Sequence, residues 1–214
     1  HEEGILSGDW ESDNGGGYVG VSAGAALAGT DYGLWADSGE GTSQYAYLNF
    51  AQVDTDTMRL RFYIDVQNVT PAIGYLHIIG VKSYNEQEHI CYIRLRYNGS
   101  QYYIQFDVKE DGEPEYQLYS AAGSISASAE NYVEVMIVRA NSGQSNGEAY
   151  LWVNGSLEDS ATDVNNDQQF TNLGFIEAGT FHKSGTWAGD VYFDEIIMNI
   201  TGDEIGPLGG TTME

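Results

Sequence analysis

The 214-residue chain is poor in positive charge: Lys and Arg number 8 against 32 Asp and Glu, a net charge of −24. Phosphate backbones repel such a surface and no basic patch interrupts it, so no nucleic-acid partner is expected. Anionic membranes and densely anionic glycans are disfavoured on the same ground. The single cysteine, Cys91, removes internal disulfides and cysteine-based zinc sites from consideration. No apolar run approaches the ~18 residues a spanning helix requires, so membrane insertion is not expected. Proline is scarce, at 3 residues, and no long stretch has helical period. Segment 22–29 is rich in alanine, but its glycines oppose a stable helix. The acid excess suits salty water, where self-repulsion is screened within ~8 Å. An extracellular or surface protein of a saline setting is the expectation. The start at His1, without Met or leader, suggests a mature chain after processing.

What the chain has is aromatic residues and strands. Tyr 16, Phe 7 and Trp 4 supply a large core and binding surface. Residues 58–66 alternate: Leu60, Phe62, Ile64 and Val66 share one face, Arg59, Arg61, Tyr63 and Asp65 the other. Residues 90–97 repeat the pattern, with Cys91, Ile93 and Leu95 opposed to Tyr92, Arg94 and Arg96. Asn98-Gly99 and Asp111-Gly112 read as hairpin turns, and Asn154-Gly155 ends another strand. About a dozen short strands separated by Gly-rich turns predict an all-β, two-sheet antiparallel β-sandwich or jelly roll. Residues 1–201 form that one domain. Residues 202–214, which contain Gly and Pro and lose the alternation, read as a C-terminal tail or arm.

The order of segments resembles the concanavalin A-like lectin/glucanase jelly rolls, in particular laminin-G-like domains. Trp10-Glu11, VSAGAALAGTDYGLWAD, RLRFYIDV, RLRYNGSQYYIQF, NYVEVMIV, NGEAYLWVNGSL and VYFDEIIM carry the resemblance over residues 9–200. It implies fold more than function, because one fold hosts many activities. Glucanases of this superfamily align Glu-x-Asp-x-Glu on a central strand, and here only Asp9, Glu11 and Asp13 alternate, at the chain start. The alginate-lyase branch uses Arg, Gln, His and Tyr. His77 sits in YLHIIGV, but no Gln-Ile-His is present.

Calcium is a better use for the acids, since it takes six to eight oxygen ligands. Related carbohydrate-binding modules place a structural Ca²⁺ between residues matching Glu11 and Asp194. A second candidate is Asp163, Asn165 and Asp167, a D-x-N-x-D spacing without the following Gly. Arg59, Arg61, Arg94 and Arg96 form two pairs on polar strand faces. If the strands are neighbours they make a basic stripe able to grip a carboxylate, unless Asp65 and other acids pair with them. Trp35, Tyr75, Tyr84 and Trp187 are candidate stacking platforms for sugar. An N-terminal His can chelate copper, with His77, His89 or His182 as second ligand.

The expected function is therefore a non-catalytic, calcium-stabilised module that binds a glycan or polysaccharide on a sheet face or its rim loops. The alternative is a self-assembling structural subunit of a filament, appendage or virion, with residues 1–8 or 202–214 adding a strand to a neighbour. A glycoside hydrolase or polysaccharide lyase ranks behind both.

Overall fold

The computed structural model describes residues 10–13, 17–39, 44–84 and 88–208. Among them, two antiparallel seven-stranded sheets face each other. Strands are numbered in chain order. Sheet A runs β1 (Trp10–Asp13), β4 (Gln44–Val53), β13 (Leu173–Lys183), β6 (Gly74–Ser83), β7 (His89–Tyr97), β8 (Tyr102–Glu110), β9 (Glu113–Tyr119). Sheet B runs β12 (Ser156–Val164), β11 (Gly147–Val153), β10 (Asn131–Val138), β5 (Thr57–Asp65), β14 (Asp190–Asn199), β3 (Gly33–Asp37), β2 (Val19–Ser22). This is the expected all-β sandwich. The Ala-rich segment contributes one 3-10 turn, Ala23–Ala25.

The inward faces are those that alternation identifies. Phe62 and Ile64 of β5, Ile93 and Leu95 of β7, Phe106 of β8 and Phe193 of β14 are all fully buried. Turn chemistry also holds. Asn154 and Gly155 take φ of 51° and 82° between β11 and β12, the left-handed pair of a type I′ hairpin. At Asn98-Gly99, the Asn98 side-chain oxygen accepts the Ser100 and Gln101 amides, closing the turn between β7 and β8.

The free edges of β9 and β12 lie side by side. Asp159 accepts the Tyr119 amide at 3.0 Å and Glu158 the Ala121 amide at 2.8 Å. The segment SLEDSATDV of β12 has only Ala161 and Val164 buried, which is why its strand character is weak in the sequence.

The outer face of β5 is covered by the chain's own end. Arg59 pairs with the buried Glu134, and its Nη1 donates to Gly202 O at 3.1 Å. Glu134 accepts the Ile205 and Gly206 amides at 3.0 and 3.1 Å, and Tyr63 Oη accepts the Leu208 amide at 2.9 Å. Residues 202–208 are thus a strap on sheet B. Residues 1–8, the other expected arm, lie outside the described residues.

Replacing Glu134 with Ala leaves the Arg59 guanidinium buried without its counter-charge. Glu134→Ala should therefore cost about 3–5 kcal/mol of stability. It should also open residues 202–208 to protease. Denaturant unfolding together with limited proteolysis checks both.

Candidate active site

Cross-strand register brings the polar residues of sheet A together, because residues directly opposite each other share a face. Tyr75 pairs with Arg96, His77 with Arg94 and Gly80 with Tyr92 across β6 and β7. Arg96 then faces Tyr103, Arg94 faces Gln105 and Tyr92 faces Asp107 on β8. On the other side, Glu177 pairs with Gly80 and His182 with His77. The β13–β6 ladder is irregular between Ala178 and His182. Gly179, at φ 148°, allows this, since a Cβ there would lie 2.2 Å from Gln44 O. The irregularity lets the adjacent Phe181 and His182 both reach one cavity, which a regular strand forbids. That cavity, about 300 Å³ and open to solvent, is lined by Tyr45, His77, Lys82, His89, Tyr92, Glu177, Phe181 and His182. Gly80 keeps its floor open: a Cβ there would meet His89 at 3.0 Å and Glu177 at 3.1 Å.

Two hydrogen-bond systems organise the floor. In the first, Arg94 Nε donates to His77 Nε2 at 2.8 Å and lies 3.2 Å from Asp107 Oδ2. Gln105 donates to Asp107 Oδ1 at 2.5 Å and accepts from Arg96. Burial, and then the adjacent Arg94, hold His77 neutral by depressing its pKa from 6.5 to about 3. Burial pushes the Asp107 carboxyl up, against the opposing pull of Gln105 and Arg94. In the second system, the buried Glu177 accepts from Lys82 and from His89 Nε2, the latter at 2.9 Å. Burial raises Glu177, but these two bonds outweigh it and hold the carboxylate below its ordinary range. Tyr92 lies between the systems, its ring 5.0 Å from His77 and 4.3 Å from His89. Burial raises its pKa, partly countered by Lys109, so the phenol keeps its proton.

The residues expected from sequence divide between the two sheets. Arg94, Arg96 and Tyr75 lie at this site, with both guanidinium groups over the Tyr75 ring. Arg59 and Arg61 do not: β5 belongs to sheet B, so no four-arginine stripe exists. Their acids are Glu134 and Glu195, and Asp65 instead accepts from Gln67. Trp187 is fully buried with its indole N–H on Ser184 O at 2.8 Å, so no sugar can reach it. Trp35 is half-buried on sheet B, opposite Gly20 and Tyr192. Tyr84 is exposed and stacks on Phe175 at 6.4 Å, beside the cavity.

The first pair of calcium candidates lies on different sheets, and the Glu11 side chain falls outside the described residues. Glu11 belongs to β1 of sheet A and Asp194 to β14 of sheet B. Asp194 already accepts the Leu27 amide, the Thr30 hydroxyl and the Glu195 amide, all donors that a cation would displace. Asp163 bonds Tyr116, whereas Asp167 bonds Asp111 and the Gly143 amide, and the Asn165 amide donates to Glu110. Among the described residues, no group of three or more His, Cys, Asp or Glu is arranged to hold a metal ion. His1, the proposed copper chelator, lies outside them.

Sequence reading missed Lys82, Tyr92, Asp107, Lys109 and Glu177 as site residues, and named His77, His89 and His182 as possible partners of a copper-chelating His1. The available signal was polar residues interrupting otherwise apolar strands, as His77 and Lys82 do in YLHIIGVK.

No protein-family model and no curated protein matches the sequence. Solved structures do. The chain is similar to the endo-β-1,4-glucuronan lyase of the fungus Trichoderma reesei, with TM-score 0.64 and 14% identity over 92% of this chain and 93% of that one. It is similar to a variant alginate lyase in complex with an alginate trisaccharide, with TM-score 0.63 and 14% identity over 89% and 87%. A Chlorella virus alginate lyase follows, with TM-score 0.60 and 12% identity over 90% and 93%. The fold is the concanavalin A-like jelly roll. At such identity the likeness is one of fold. It nonetheless overturns the expectation of a non-catalytic glycan-binding module, because these neighbours are polysaccharide lyases. One of them holds an alginate trisaccharide, which is consistent with the expected glycan partner.

Unfolded His77 binds a proton below about 6.5, whereas folded His77 refuses it until about 3. Unfolding therefore takes up a proton in that window, and stability should fall as pH drops through it. Stability curves of the wild type and His77→Gln, measured against pH, should converge toward the acid end. The His77 ring should show no NMR titration in the neutral range.

Proposed function

We propose that the chain is a polysaccharide lyase that breaks a uronate-containing glycan by β-elimination on the outer face of sheet A. One observation carries this reading. Lys82, Arg94, Arg96 and Lys109, half of the 8 Lys and Arg of a chain of net charge −24, stand on this one face with three of the 4 histidines. An acidic protein that gathers half of its cations on one sheet face lowers the repulsion an anionic substrate meets there. A polymer substrate fits the extracellular, saline setting that the charge suggests.

Elimination next to a uronate carboxylate asks for three things: a cation on the carboxylate, a base for the C5 proton, and an acid for the O4 leaving group. The cation comes from this face, where Lys82 lines the cavity itself and Arg94 stands against His77 of its lining. His89 is the base. Its Nε2–H is donated to Glu177, which leaves the Nδ1 lone pair free, the orienting role a carboxylate plays toward a histidine base. Tyr92 is the acid, with its proton retained by burial. The C5–H electron pair becomes the C4–C5 double bond as the proton passes to His89. The C4–O4 bond breaks, and O4 takes the Tyr92 proton. The products are a new hydroxyl end and an unsaturated uronate.

Loss of a positioned proton-transfer group typically costs ~10²–10⁴ in rate. His89→Ala and Tyr92→Phe should each lower kcat by about that range, with the fold intact. The readout is the ultraviolet absorbance of the unsaturated uronate during digestion of uronate polymers. Cleavage that yields only saturated ends, or a full rate in His89→Ala, counts against the reading.

A further inference from the structure

In a chain with 32 acids and 8 bases, a guanidinium on a sheet face should find a carboxylate. Arg59, Arg61, Lys82, Arg94, Lys109 and Arg139 each pair with one. Arg96 has none among the described residues. Its Nη1 donates to the neutral Gln105 side chain, and its Nε is buried without a hydrogen bond. Its guanidinium lies 5.7 Å from the Tyr75 ring and 5.9 Å from the Tyr103 ring. Asp107, which shares Gln105 with it, is engaged by Arg94. Neutral neighbours thus hold the Arg96 fork in place and leave its charge uncompensated.

Arg96 stands outside the cavity, beyond one end of it. On β6 the lining runs from Lys82 to His77, and Tyr75 is the next residue on that face. The Tyr75 ring lies 5.4 Å from His77 and 5.9 Å from His182, and Tyr75 pairs with Arg96 across β6 and β7. A chain that leaves the cavity past the two histidines therefore meets Arg96. Arg96 follows Tyr92 by four residues and His89 by seven. That is roughly 13–23 Å along the strand at ~3.3 Å per residue, a span that takes several sugar units.

We infer that Arg96 is a remote anion subsite, which takes the carboxylate of a second uronate several units along the polymer from the one that reacts at His89 and Tyr92. The substrate is then a polyuronate long enough to reach both points. The reacting point rests on the lyase reading; the remote point rests on Arg96 itself. A contact so far from the reacting atoms is made equally in ground state and transition state, so it lowers KM and leaves kcat alone.

The test is a length series of oligoglucuronates and oligomannuronates, from trimer to octamer, with the parent polymers. Cleavage is read by the absorbance of unsaturated uronate. For the wild type, kcat/KM should step up about tenfold at the length that first reaches Arg96, the worth of a charge-assisted contact. Arg96→Gln should abolish that step by raising KM on long chains about tenfold at unchanged kcat. Its rate on the trimer should equal that of the wild type, which also shows that the variant is folded. Arg96→Lys, which keeps the charge and loses the fork, should restore part of the step. Added salt should shrink the step. Unchanged kinetics of Arg96→Gln on every length, or a kcat that falls on trimer and polymer alike, would overturn the remote subsite and leave the lyase reading standing. If no probe yields unsaturated product, the lyase reading fails and calorimetric titration of the octamers decides the subsite by itself. Binding about tenfold weaker to Arg96→Gln than to the wild type supports it; equal binding, or none to either protein, overturns it.

Discussion

The candidate site depends on one guanidinium. Arg94 Nε stands 2.8 Å from His77 and 3.2 Å from Asp107, so a single group ties together the outer faces of β6, β7 and β8. Each partner needs it. Without Arg94, Asp107 would be a carboxylate at 0% exposure with no cation beside it, and burial of that kind is costly. Without it, His77 would lose the donor that decides which ring nitrogen carries its proton. Because Arg94 donates to Nε2, the proton resides on Nδ1, and the ring serves as a fixed, neutral element of the floor. A ring that stays neutral does not compete with the groups that exchange protons above it.

The same logic separates the two faces on which this chain keeps its arginines. On sheet B, Arg59 meets Glu134 under a strap of backbone and serves cohesion. On sheet A, arginines of the same sequence pattern lie over the Tyr75 ring, and Arg94 stands against His77 of an open cavity. The difference lies in what covers each face, and the covering chain comes from residues 202–208, far from either strand in sequence.

That difference marks where the sequence is legible and where it is not. Period-2 alternation states which residues share a face, and it places the inward residues of β5 and β7 correctly. It does not state which sheet a strand joins, because the chain crosses between sheets and the pairing is non-local. Hence Arg59 and Arg61 could not be told apart from Arg94 and Arg96. Trp187 shows the same blindness: a tryptophan in a Gly-rich loop reads as exposed, yet it lies in the core with its N–H satisfied by Ser184. Glu177 and Lys82 were invisible for another reason. In a chain with 32 acids, one glutamate draws no notice until register sets it opposite Gly80, with a lysine and a histidine to hold it.

The seam between β9 and β12 limits how this molecule can grow. An edge strand with free amides is a template for another chain, and that route leads to fibres as readily as to ordered polymers. Here Asp159 and Glu158 occupy the Tyr119 and Ala121 amides. An incoming strand would have to displace internal carboxylates and bring its own backbone beside their charge. Strand addition is thereby disfavoured at this rim.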